Sequence, residues 1–279
     1  IDSKGFIKVT RNGGSDAQIA PSMRVVLWGD KGPIDGVFGH PAIHISYRKK
    51  DIDMDSIFID VGASNKQEVL DMGINIGTVI TFKDGFMKLG ENFYAGRALD
   101  NRIGGFMIAE VARRLKEKGK KLPFKLYIVN SVQEEVGLCG ATMITETIKP
   151  NVAIITDVCH ETSAPCYTPS KEGENIAGNG GVITRAPAVH NILRKLVLDT
   201  AVKKEIPFQL AASSRSTGTD TDAFAFSNGG VPSVLISLPL RYMHTTIESV
   251  HKDDVKNVIK LIYHTLLNIE ENHNFKYKI

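Results

Sequence analysis

The spacing of hydrophobic and polar positions changes partway along the chain. Through about residue 90, short apolar runs such as "MRVVLWG", "AIHISYR", "SIFIDVG" and "TVITF" are broken by Gly, Asp and Asn. Runs of that length between turn formers predict strands, and so a small β-rich unit. Beyond that point helices and strands alternate. In "NRIGGFMIAEVARRLKEKG" the apolar residues Ile103, Phe106, Met107, Val111 and Leu115 recur at helical spacing, and Gly119 supplies a stop. A strand "FKLYIVNSV", a short helix "ATMITETI" and a strand "VAIITDV" follow. The pattern continues with a helix in "VHNILRKLVLDTAVKKE", a strand "FQLAAS", a short helix "DAFAFSN", a strand "SVLISL" and a last helix "DDVKNVIKLIYHTLLNIEE". Such alternation predicts an α/β fold with a mostly parallel central sheet flanked by helices. The expected division is a smaller β-rich domain over residues 1–90 and a larger domain over 91–279, with the first residues belonging to the larger one.

Composition narrows the class. The chain has 279 residues, 42% hydrophobic and 23% charged, which is enough for one large domain with a companion. A net charge of +3, with basic residues scattered rather than striped, gives no electrostatic footprint for nucleic acid. A small molecule or peptide is the expected partner. No apolar run approaches the roughly 18 residues of a membrane span. Cys139, Cys159 and Cys166 form no Cys-x-x-Cys pair, which fits a reducing, cytoplasmic setting. The first residues, "IDSKGFIKVT", read as the middle of a β-hairpin, so the expectation is that N-terminal sequence precedes them.

In sheets of this kind, reactive groups gather beyond the carboxyl ends of the strands. Glu134 and Glu135 follow one expected strand in "VNSVQEEVGLCG", Asp157 closes "VAIIT", and His244 follows "SVLISLPLRYM". Asp100 precedes the first long helix in "ALDNR". Carboxylates and an imidazole suit Zn²⁺, Co²⁺ or Mn²⁺. Each residue also has a plainer reading: Asp100 as a helix N-cap, Glu134 and Glu135 as solvated loop charges, Asp157 as a turn cap, His244 as an ordinary hydrogen-bonded histidine. Their shared position at one sheet edge favours the metal. Two neighbouring glutamates on an extended segment point in different directions, so one can bind a cation while the other takes a proton from water.

In order and spacing, "AGRALDNRIGG", "NSVQEEVGLCGA", "IITDV", "GTDTDAFAFSNGGVPS" and "LPLRYMHTTIE" resemble the M42 family of dinuclear metal aminopeptidases, the group of the tetrahedral and glutamyl aminopeptidases. The resemblance runs essentially from end to end. It implies a zinc-peptidase-like catalytic domain, a β-rich domain inserted into it that serves dimerisation, and two divalent ions per subunit. Asp100 would bridge the two metals, Asp157 would bind one, Glu135 and His244 the other, and Glu134 would be the general base. A cis peptide bond between Asp100 and Asn101 is implied as well. The implied substrates are short peptides, and the implied assembly is a homo-oligomer in which dimers build a dodecamer.

The sequence departs from the family in one respect. Members carry a further histidine ligand in a motif of the type His-x-Asp-Glu-x-Gly, shortly before the segment resembling "IDSKGFIKV", and this sequence has no such motif. His40, His44 and His160 have different surroundings. The expectation is that the N-terminal part of the catalytic domain lies outside this sequence. The "GTDTDAF" loop with Asp220 and Asp222 is expected near the site, or else as a capping turn. Two alternatives stand beside the peptidase. One is an endoglucanase-type glycoside hydrolase, which needs two carboxyls facing each other across a sugar. The other is a non-catalytic assembly protein derived from a peptidase.

Overall fold

Val25 and Leu27 alternate with more exposed neighbours along β1 (Arg24–Gly29), and this turns both side chains fully inward. A two-residue turn leads into β2 (Gly32–Phe38), antiparallel to β1 from Arg24↔Val37 to Gly29↔Gly32. The short β3 (Ile59–Asp60) lies on the outer side of β2. Helix α1 (Lys66–Asp71) is started by a capping box. The Asn65 side chain accepts from the Glu68 backbone N–H at 3.0 Å, and the Glu68 carboxylate accepts from the Ser64 N–H at 2.7 Å and from the Asn65 amide at 2.8 Å. Strand β4 (Val79–Phe82) closes a four-stranded sheet of order β3-β2-β1-β4 over a core of Val25, Leu27, Ile59, Val69 and Ile74. This computed structural model describes residues 1–42, 44, 52–83 and 85–275. The expected strand 42–48 lies, but for Ala42 and His44, outside them.

Chain contacts gather this β-rich unit from Ile1–Phe86 together with His244–Ile247, and a second unit from Met87–Met243 together with Glu248 onward. The second unit begins with β5 (Met87–Leu89), β6 (Phe93–Gly96), α2 (Leu99–Glu117), α3 (Cys139–Ile148) and β7 (Ala153–His160). It continues with α4 (Pro169–Glu172), β8 (Gly181–Arg185), α5 (Asn191–Lys203), β9 (Phe208–Ala212) and α6 (Asp220–Ala225), and ends with β10 (Ser233–Arg241), β11 (Glu248–His251) and α7 (Lys252–Asn268). Its seven-stranded sheet runs β5-β6-β11-β10-β8-β9, with β7 also paired to β10. Helices α2, α5 and α7 bury Met107, Leu193, Val197, Val258 and Ile259 against it.

The α/β architecture is as expected, and among the described residues parallel pairing is confined to β7–β10 and β8–β9. The β10–β11, β10–β8, β11–β6 and β5–β6 ladders are antiparallel. For β10–β11 the reason is local, since the short connection 242–247 can only reverse the chain. The strand expected in "FKLYIVNSV" is corrected: Phe124–Asn130 has no strand ladder among the described residues. Apolar, β-branched composition creates the tendency to extend, but a strand exists only where a neighbour takes its N–H and C=O groups.

One long connection is fastened at its base. After β7, Thr162 N–H donates to the Asn175 carbonyl at 2.9 Å, Asn175 N–H donates to Thr162 Oγ1 at 2.9 Å, and Ala177 N–H donates to Glu161 Oε1. Fully buried Glu161 also pairs with Arg241 at 3.0 Å. The Asp254 carboxylate accepts from the Gly178 and Gly180 N–H groups at 2.6 and 2.7 Å.

Candidate metal centre

Asp157 sits near the end of β7, opposite Ser237 of β10, and is only 6% exposed. Its Oδ1 accepts from the Val158 N–H at 2.8 Å. Asp100 approaches from the start of α2. The helix opens on Ala98 in the left-handed region (φ 55°) with no side-chain cap, and Asp100 and Asn101 are themselves non-helical. The Asp100 carboxylate is therefore not an N-cap. Asn101 does the local fixing. Its Oδ1 accepts from the Gly104 N–H at 2.9 Å, and its Nδ2 donates to the Thr156 carbonyl at 3.0 Å, which ties the head of α2 to the residue before Asp157. Gly104 is required here, because a Cβ would meet Asn101 Oδ1 at 2.3 Å. The Asp100–Asn101 peptide bond is cis, as the resemblance implies.

Glu134 and Glu135 lie in a tight reversal leading into α3. Gln133, Gly137 and Leu138 all have positive φ, and the Glu134 carbonyl accepts from the N–H groups of Gly137 and Leu138 at 3.1 and 3.0 Å. Glu134 is half-buried and Glu135 exposed. A carboxylate oxygen of Asp100 and one of Glu135 lie within 4.8 Å of each other, close enough for one cation to accept both. The reversal depends on Gly140, where a Cβ would stand 2.3 Å from the Val132 carbonyl oxygen and 2.6 Å from the Val132 nitrogen. Gly140→Ala must move that backbone and both glutamates with it. Turnover is expected to fall by up to about 100-fold, the scale on which small misplacements cost rate, in a protein of near-normal helix content by circular dichroism.

Asp220, the first residue of α6, joins this acidic group. Ser131 Oγ donates to its Oδ2, and the carboxylate lines the same cleft as Glu134 and Asp157. Asp222 takes the plainer role, accepting from the N–H groups of Thr217 and Gly218 as a turn cap. The sequence treated the two as one loop. Only the side-chain directions separate them. His244 lies in the loop between β10 and β11 with φ 61° and is held close by its own unit, where a Cβ on Gly14 would meet its Nδ1 at 2.5 Å.

The cleft has a volume of about 1880 Å³ and is bordered by Asn101, Ser131, Glu134, Glu135, Asp157 and Asp220. Burial, reinforced by the charges of Glu135, Asp220 and Asp100, pushes Glu134 up to about 7. Burial, with Asp100, Glu134 and Asp220 nearby, pushes Asp157 up to about 8 despite its bond from Val158. Burial also raises Asp220. Carboxylates gathered this closely, two of them pushed up by burial and by one another's charge, call for a cation, and oxygen donors of this kind suit divalent metals. The residues fit the metal ions that the resemblance implies.

The raised Asp157 predicts how metal-free protein responds to pH. A carboxyl whose pKa is higher folded than unfolded stabilises fully below its unfolded value, near 3.8, and loses that contribution as pH rises through about 8. With chelator present, Tm should fall between pH 5 and pH 8. Added Zn²⁺ or Co²⁺ should raise Tm more at pH 8 than at pH 5, because the ligands must be deprotonated to bind.

Comparison with known proteins identifies the group of enzymes to which this arrangement belongs. A sequence profile described as M42 glutamyl aminopeptidase matches residues 1–261. The chain belongs to the M42 family. M42 enzymes are metal-dependent aminopeptidases, and the chain is a peptidase of that class. It is similar to a lysyl aminopeptidase of Pyrococcus furiosus, with 36% identity over 267 residues covering 94% of this chain and 75% of that protein. In structure it is similar to a TET aminopeptidase from a marine-sediment Thaumarchaeota archaeon, with a TM-score of 0.91 and 29% identity over 97% of this chain and 77% of that one. It is also similar to the TET1 peptidase of Pyrococcus horikoshii, described as assembling into a tetrahedron or a large octahedral shell, with a TM-score of 0.84 and 27% identity over 96% and 79%. The glycoside-hydrolase and non-catalytic alternatives give way to the M42 assignment.

Proposed function

We propose that this M42 chain removes the N-terminal residue of short peptides at a centre holding two divalent ions, Zn²⁺ or Co²⁺, with Mn²⁺ as a further candidate. Asp100 would hold both ions, Asp157 one of them, and Glu135 the other together with His244 from the β10–β11 loop. The observation that carries the reading is the concentration of carboxylates around Asp157 and Glu134, both raised far above the ordinary carboxylate range. The ions supply Lewis acidity and make a water acidic near neutral pH. Glu134, a half-buried carboxylate beside these residues, takes the proton of the attacking water and delivers it to the leaving amine. Asn101 and Ser131 hold the surrounding carboxylates in place through Thr156 and Asp220.

The test is a panel of aminoacyl chromogenic substrates assayed after chelation and again after adding each metal. Activity that returns only with metal supports the reading. Chelation-resistant cleavage, or no cleavage with any metal, would refute it.

The reading extends to assembly and setting. The β-rich unit mediates dimerisation and dimers form a dodecamer, supported by the dodecamer described for a similar solved structure, PhTET1-12s, and by exposed Trp28, Ile76 and Val79 on that unit. Light scattering should then give twelve times the subunit mass, and a monomer in solution would remove this extension. No helix among the described residues is long and apolar enough to cross a membrane. The three unbridged cysteines accord with the proposed cytoplasmic setting.

A further inference from the structure

Glu248 opens β11 and is 2% exposed, a depth at which a carboxylate is kept only when it has a job for its oxygens. One oxygen, Oε2, accepts the backbone N–H of Asp100 at 2.9 Å, across 148 residues of sequence. The ladder between β11 and β6 places the two segments side by side, with Glu248 opposite Gly96 and Ser249 opposite Ala95. The chain then leaves β6 through left-handed Ala98 into the non-helical opening of α2. Asp100 N–H lies ahead of the regular helical ladder, so the helix itself gives it no carbonyl partner. The Glu248 carboxylate supplies the acceptor that the local backbone cannot.

We infer that Glu248 is a positioning residue for the metal centre: its bond to the Asp100 N–H sets the direction in which the Asp100 carboxylate faces Glu135. The inference rests on the proposed two-metal reading and adds a residue that touches neither metal nor substrate. The chemistry is that of an outer-shell acceptor, which orients a ligand through the ligand's own backbone rather than through its side chain. Three features of the strand set this position apart. It begins β11, it faces inward rather than to solvent, and the group it accepts from belongs to the residue proposed to hold both ions. Among the described residues, neighbouring Ser249 is equally buried, but its Oγ has no hydrogen-bond partner.

The experiment compares Glu248→Gln and Glu248→Met in the full chain, with three readouts on the same samples: the thermal midpoint, the affinity for Co²⁺ followed by its visible absorption, and kcat and KM. Gln keeps an acceptor oxygen of similar reach, and Met keeps the length without one. The expected result is a loss of about 10- to 100-fold in Co²⁺ affinity for Met, largely rescued in Gln, with kcat falling and KM little changed. Equal Co²⁺ affinity in wild type and Met would overturn the inference. So would loss of folding in both variants alike, which would make Glu248 a support of the fold alone. If wild-type protein binds no Co²⁺ and cleaves nothing, the two-metal reading fails. If wild type binds and cleaves while Met matches it, only the role of Glu248 fails.

Discussion

Glu134→Gln should lower turnover by about 10² to 10⁴ or more while bound metal stays near the wild-type content. The amide preserves size and hydrogen-bonding reach and removes the proton acceptor. Glu134 is half-buried, and in the metal-free protein burial, reinforced by the charges of Glu135, Asp220 and Asp100, raises it to about 7; cations held by its neighbours would lower it again and leave an ionised proton acceptor. The acidic limb of the kcat profile should report that group in the wild type and vanish in the variant. Metal content by mass spectrometry and turnover, measured on the same preparation, decide the matter. A Glu134→Gln protein that loses its metal would place Glu134 among the ligands, and one with full activity would remove it from the chemistry.

Glu135→Gln should do the reverse, weakening metal binding first and activity as a consequence. Glu135 is exposed, and one of its oxygens lies within 4.8 Å of an Asp100 oxygen, a separation a single cation can span. A neutral amide is a poor substitute for a carboxylate on a divalent ion. Losing a direct ligand should cost at least the roughly 10- to 100-fold in affinity that loss of an outer-shell partner costs. Competition with a chelator of known strength measures this, and excess metal should restore much of the lost turnover. Retention of both metals at low activity would exchange the roles of the two glutamates.

How much of this could be read from the sequence depended on how local the cause was. Helices α2, α5 and α7 were legible because their buried residues recur at helical spacing, and their observed ends differ from the expected ones by only a few residues. The strand "SVLISL" was read as ending before Pro239, a residue unsuited to a central strand, yet β10 runs on to Arg241 because β7 continues to pair with it through His160. Phe124–Val132 failed the other way, having strand composition but no ladder among the described residues. Strands β5, β6 and β11 were missed because three or four residues carry too little periodicity to detect.

The site followed the same rule. Asp100 and Asp157 could be singled out because a helix start and a strand end are visible as changes of pattern, whereas Glu134 and Glu135 were singled out behind an expected strand that has no ladder among the described residues. The opposite duties of Asp220 and Asp222 were not visible, since both stand in the first turn of one short helix and differ only in where their side chains point. Glu248 gave no local signal at all. Its partner lies 148 positions away, and only the β11–β6 ladder brings them together.

The fastening at the base of the connection after β7 makes the stretch 163–174 an insulated graft point. Its two ends are already held by Thr162, Asn175 and Glu161, so new residues placed between them need not bring distant anchors together. The entropic cost of closing a loop rises by only about 0.6 kcal/mol for each doubling of length. A reporter peptide or affinity tag spliced there should leave the sheet and its helices intact, which would let the enzyme be immobilised through a surface loop rather than through either terminus.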